Sequence, residues 1–295
     1  MCMEALGYAA LLGFGAIPAM SLMCHLPPSA DFILKLALLD PNFNFHALVL
    51  PPITSDIRTL LLGFDGRSFN GAFTLTSVGQ TAAKTLACLA LPHLTLLEIV
   101  SEEYPNLTWP QPEFLALAAR SSFHSHLLRL HLWHVVITEA ELLECLAVRP
   151  SLEQLTISDH LAEYNGGTEV QMVTERLFAA LTLPAATDST PDADADTTPP
   201  LVPRLTSFGC QTLLKFNDAV FLDFLLSRWV AVERDKSAYS DDFVDAEVWW
   251  LPGHQRELDP NVCARLNELD GIRVAFGPAD DSELGEEAEA ESLSG

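Results

Sequence analysis

Basic residues are scarce in this chain. Against 40 Asp and Glu stand 16 Lys and Arg, a formal charge of −24. No basic stripe interrupts the deficit, so a phosphate backbone is repelled and nucleic acid is not expected as a partner. No Lys or Arg precedes Lys35, which removes the basic flank carried by a signal peptide or an oriented membrane helix. The cysteines Cys2, Cys24, Cys88, Cys145, Cys210 and Cys263 contain no Cys-x-x-Cys pair. Such scatter fits reduced, buried thiols of an intracellular protein better than a disulfide framework or a zinc site. Gly-x-Ser-x-Gly, Walker and His-Glu-x-x-His motifs are missing, and nothing argues for an enzyme or a cofactor.

The acidity is concentrated in two stretches. Pro184 to Pro200 holds four Asp and no Lys or Arg, and residues 277–295 are dominated by Asp and Glu. Both lack the apolar residues that offset the entropy of ordering, so a disordered insertion at 184–200 and a disordered tail at 277–295 are expected. Asp192, Asp194 and Asp196 alternate as calcium ligands do, but the glycine and closing Glu of an EF-hand loop are missing. From Ala5 to Cys24 there is no charge at all, a length that just spans a bilayer as a helix. Residues 1–25 therefore carry the alternative reading, a membrane-anchored or secreted protein. Gly7, Gly13, Gly15, Pro18 and the missing basic flank favour instead a helix packed on the end of the fold, or a poorly ordered terminus.

What is abundant is leucine at fixed spacing. Leu127, Leu130 and Leu132 form a Leu-x-x-Leu-x-Leu phrase that returns as Leu152, Leu155 and Ile157, with helix-like apolar spacing between the copies from Ile137 to Val148. Ile57-Leu60-Leu62, Leu94-Leu97-Ile99 and a phrase beginning at Leu205 repeat it. Their first positions are 37, 33, 25 and 53 residues apart, and removing the 17 residues of the acidic insertion reduces the last to 36. Strand-plus-helix units of this kind predict an α/β leucine-rich-repeat solenoid over 26–276, with parallel strands on the concave face and irregular helices on the convex face. Phe243-Ala246-Val248 and Leu269-Ile272-Val274 bring the strands to about seven, and Phe45-Leu48-Leu50 is a candidate edge repeat. Helices are expected at Phe32 to Leu39, Thr81 to Leu91, Phe114 to Arg120, Thr168 to Leu181 and Ala219 to Trp229. Pro105, Pro110 and Pro112 are expected to keep the chain between the units irregular.

Alternation along a strand sends the phrase leucines into the stack and the residues between them outward. The outward set includes Glu98, Arg129, His131, Trp133, Gln154, Thr156, Asp245, Glu247 and Trp249. Aromatic and arginine side chains dominate interface energetics. Arg129 and Trp133, with Trp249, are thus the leading partner-binding candidates, joined by Glu98, His131, Gln154 and Thr156. His124, His126, His131 and His134 do not share one strand face and lack a completing Cys or carboxylate pair, so no metal site is expected.

The phrases LPHLTLLEI at 91–99, the 127–157 unit, LVPRLTSF at 201–208, FLDFLLSRW at 221–229 and DGIRVAF at 270–276 together resemble the leucine-rich-repeat portion of fungal F-box-like proteins. The resemblance implies repeats that select a protein substrate and an N-terminal box that docks a Skp1-type adaptor of a ubiquitin ligase. Leu26-Pro27-Pro28 is similar to the opening of that box. Ser29 and Ala30 stand where the family carries an acidic residue, and no Trp occurs before Trp109.

Overall fold

The computed structural model describes residues 7–12, 31–37, 52–65, 75–102, 107–159, 169–184, 200–236, 239 and 244–279. In chain order the long strands are β1 (Gly7–Leu12), β2 (Asp31–Ala37), β4 (Thr59–Asp65), β6 (Leu96–Glu102), β8 (Arg129–Trp133), β10 (Gln154–Ser158), β11 (Ser207–Thr212), β12 (Val244–Trp250) and β13 (Ile272–Pro278). Two-residue strands lie between them, β3 (Ile53–Thr54), β5 (Leu89–Ala90), β7 (Leu107–Thr108) and β9 (Val135–Val136). The helices are α1 (Leu75–Cys88), α2 (Gln111–Arg120), α3 (Phe123–His126), α4 (Glu139–Ala147), α5 (Glu175–Leu181), α6 (Asp218–Arg234) and α7 (Pro260–Asn267).

The nine long strands form one open parallel sheet in the order β1-β2-β4-β6-β8-β10-β11-β12-β13. Each crossover therefore advances one strand in the same direction. The register aligns the phrases. Leu60, Leu97, Leu130, Leu155, Phe208 and Ala246 form one row, and Leu62, Ile99, Leu132, Ile157, Cys210 and Val248 form the next. All twelve are at most 1% exposed and share a single core with the inward faces of α1, α2 and α4–α7. The described helices thus cover one face of the sheet, and each buried leucine contributes roughly 1.5–3 kcal/mol.

A backbone ladder repeats at the second residue of each phrase. The Arg58 carbonyl accepts from Thr95 and Leu96, Thr95 from Leu128 and Arg129, Leu128 from Glu153 and Gln154, and Glu153 from Thr206 and Ser207. One unit's entry into its strand is thereby templated by the unit before. The helix connecting β8 to β10 starts where local chemistry tells it to. Thr138 caps α4 by accepting from the Glu141 amide at 3.2 Å, while the Glu141 carboxylate accepts from the Thr138 amide at 2.8 Å, a reciprocal capping box.

Several expectations are corrected. The helix expected over Phe32 to Leu39 is a strand in its described part, because Asp31–Ala37 pairs with both β1 and β4, with Phe32, Leu34 and Leu36 in register with Leu60, Leu62 and Phe64. Gly7–Leu12, inside the uncharged N-terminal stretch, is likewise a strand of the sheet and not a packed helix. Pro112 sits in the first turn of α2, where its missing N–H costs nothing. Leu107–Thr108 pairs in parallel with Val135–Val136, so the proline-rich connection is not wholly irregular. The helix expected from Thr168 begins only at Glu175. The amides of Met172 and Val173 are captured by the Asp159 carboxylate at 2.6 and 2.9 Å. Helix α6 runs five residues beyond Trp229. The candidate repeat at Phe45-Leu48-Leu50, residues 185–199 of the acidic insertion and residues 280–295 of the tail lie outside the described residues.

Candidate partner-binding face

The residues between the phrase leucines line the other face of the sheet, and three registered rows can be read across it. The first is Leu96-Arg129-Gln154-Ser207-Asp245-Arg273, and the second is Glu98-His131-Thr156-Gly209-Glu247-Ala275. The third contains Val100 beside Trp133, then Ser158-Gln211-Trp249-Gly277. Among the described residues no helix packs on this face.

Arg129, His131, Trp133, Glu98, Gln154 and Thr156 are thus brought together on three adjacent strands, β6, β8 and β10. Trp249 stands apart on β12. Arg129 is exposed, whereas Glu98, His131, Trp133, Gln154 and Trp249 are half-buried. His131 Nδ1 lies 3.5 Å from Glu98 Oε2, while its Nε2 is buried with no hydrogen-bond partner. Thr156 is only 7% exposed. A Cβ added to Gly209 would meet its Cγ2 and Oγ1 at 3.1 Å, so the threonine fills the space that the glycine leaves. Ser158 is fully buried and its hydroxyl accepts from the His134 amide at 2.8 Å, closing the end of β8 where His134 adopts a φ of 54°. Pointing outward from a sheet is therefore not the same as being available, and Thr156 and Ser158 shape the floor.

The histidines separate as the alternation argument expects, but one finds an unexpected neighbour. His126 lies 6.3 Å, ring to ring, from His93 of the preceding unit, and His93 Nε2 is 3.8 Å from Asp56. No group of three His, Cys, Asp or Glu that would hold a metal ion occurs among the described residues. None of the described helices is long and apolar enough to cross a membrane.

Four features beneath the sheet escaped the sequence. Asp159, immediately after β10, is 2% exposed and accepts four hydrogen bonds, two on Oδ1 from Met172 and Val173 and two on Oδ2 from the Thr212 hydroxyl at 2.9 Å and the Leu213 amide at 3.0 Å. Burial pushes its carboxyl above the usual range, and the four donors pull the other way. Arg149, fully buried, lies 4.1 Å from the Phe114 ring centroid and donates to the Cys145 carbonyl at 2.9 Å. Arg228 donates to the carbonyls of Leu181, of Val202 at 2.6 Å and of Leu201 at 3.2 Å. It fastens together the chain on either side of the acidic insertion, and one of its acceptors is Val202, a β-branched residue at φ 40°. Burial brings both guanidinium groups down to about 10, and both stay charged at neutral pH. A charged residue in the buried stripe of an apolar helix, as in Phe221-Leu222-Asp223-Phe224-Leu225-Leu226-Ser227-Arg228, was the available signal for Arg228.

The fourth feature is a polar chain under α2. The Trp109 indole donates to Gln111 Oε1 at 2.6 Å, the Cys145 thiol donates to the same oxygen at 3.0 Å, and the Gln111 amide donates to Glu144 at 2.7 Å. Burial holds the Cys145 thiol at about 12 and Cys88 at about 11, leaving them protonated and unreactive. The four described cysteines are all free.

No family model, curated protein or solved structure matches this chain.

Proposed function

We propose that the chain is a leucine-rich-repeat solenoid that works as a non-enzymatic protein-interaction scaffold, holding its partner on the face of the sheet that none of the described helices covers. The observation that carries the reading is the division of the sheet into a helix-covered apolar face and a face of registered polar and aromatic rows. The five phrases in register and the backbone ladder repeating from unit to unit support the solenoid. Nine strands about 4.8 Å apart, each at least five residues long, make a face of at least about 38 by 17 Å. That is of the same order as the ~800 Å² a partner covers in a standard interface.

Within that reading, the similarity to fungal F-box-like proteins makes the role substrate selection for a ubiquitin ligase, with Leu26-Pro27-Pro28 opening the part that docks a Skp1-type adaptor. An intracellular location follows from the same reading, and the free thiols of the four described cysteines, buried at Cys145 and Cys210, accord with it. Affinity purification of the full chain from a fungal extract is expected to yield a stoichiometric protein partner, with the Skp1-type adaptor present. Recovery of neither by a folded, monodisperse chain contradicts the scaffold reading. Recovery of a partner without the adaptor retains the scaffold and removes the ligase.

A further inference from the structure

We propose that Trp249 is the platform for a lysine or arginine side chain of the partner protein, an inference that rests on the uncovered face being the docking surface. Trp249 and Gly277 are neighbours across β12 and β13. A Cβ added to Gly277 would lie 3.0 Å from Trp249 Cζ3 and 3.3 Å from Cε3. The indole therefore lies against the β13 backbone because position 277 has no side chain, and Trp249 remains only half-buried.

The carboxylate that completes the site is Glu247. It lies two residues before Trp249 on the same side of β12, about 6.7 Å along the strand, and it is exposed. Among the described residues it has no hydrogen-bond or ion-pair partner. Asp245, one step further, lies 3.6 Å from Arg273, so Glu247 is the carboxylate left to a ligand. An indole face and an unpaired carboxylate within one side chain's reach match an ammonium or guanidinium, by cation–π attraction on one and a charge-assisted hydrogen bond on the other.

The surroundings fit a polypeptide bearing that cation. Beside β12, Ser207, Gly209 and Gln211 on β11 offer low relief for a main chain. The net charge of −24 draws a basic partner in and repels the chain's own acidic tail. Arg129, exposed on β8 and three strands from β12, limits the basic-binding end of the face to the β12 side.

The test uses the full chain, titrated calorimetrically with a hexa-arginine peptide at near-physiological salt. Saturable one-to-one binding is expected. Trp249→Leu and Glu247→Gln should each weaken it at least about five-fold. Glu233→Gln on the far side of α6 should change it less than about two-fold. Because Glu247 is exposed, its variant keeps the fold and tests the site even if the Trp249 variant does not. Equal effects of Glu247→Gln and Glu233→Gln mean diffuse attraction to an acidic protein and overturn the proposal. So does a dimer of the chain that Trp249→Leu dissociates, since the face then takes a second copy. If a protein partner is held on the sheet face but is indifferent to Glu247 and Trp249, this inference fails and the scaffold reading stands. If nothing is held on that face, both fail.

Discussion

Replacing Asp159 by Asn keeps the shape of the side chain and changes one oxygen into an N–H donor. Where it goes decides the cost. At Oδ1 the new amide would face the Met172 and Val173 amides, both donors. At Oδ2 it would face the Leu213 amide and the Thr212 hydroxyl. The hydroxyl can turn to accept, so the second placement is cheaper and strands one backbone donor. A stranded buried donor costs about 1–3 kcal/mol. Loss of charge assistance in the two bonds at Oδ1 adds roughly 1 kcal/mol, and relief from burying a carboxylate returns part of it. The expected loss is about 2–3 kcal/mol, and Asp159→Ala, which strands all four donors, should lose more, about 3–5 kcal/mol. Urea unfolding followed by far-UV circular dichroism measures both. A loss below about 0.5 kcal/mol for Asp159→Asn would refute the view that this carboxylate organises the connection between β10 and α5.

Leu130→Ala, in the centre of a fully buried row, should cost about 2–5 kcal/mol in the same assay, and a loss under 1 kcal/mol would contradict the close-packed stack. Arg228→Met leaves the carbonyls of Leu181, Leu201 and Val202 without their donor and should cost about 2–4 kcal/mol, with Arg228→Lys recovering part; equal stability of all three proteins would show the clamp to be idle. Cys145 and Cys88, held at about 12 and about 11, should have thiolate fractions of about 10⁻⁴ and 10⁻³ at pH 8. Iodoacetamide labelling read by mass spectrometry should therefore reach them only on unfolding, and rates matching a free thiol would contradict their burial.

The strands were legible where one side of the sheet is apolar and the other is not. Each of the five leucine phrases leads into a strand of the sheet, and outward positions as far apart as Glu98 and Glu247 fall in one row. The first two strands were not legible as strands. Phe32 to Leu39 is a short apolar run, and periodicity alone does not separate a buried strand from a buried helix there. Pairing with β4 settles it. Helix α5 starts late because of Asp159, a tertiary contact that no local propensity encodes. Helix α7 carries local start signals in Asp259, whose side chain caps it, and Pro260 in its first turn. At the site, alternation assigned the side of the sheet but not the exposure. Thr156 is buried by its fit over Gly209, and the His93–His126 approach arises only when one unit stacks on the next.

In the proposed function a partner is held on the sheet face that none of the described helices covers. A photo-crosslinking residue placed at Gln154 or Ser207 on that face, and separately at Ala116 or Ala179 on exposed positions of α2 and α5, tests it within the full chain. A discrete crosslinked partner from both sheet positions and from neither helix position is the predicted result. Capture from the helices alone, or equally from both sides, would contradict the central claim.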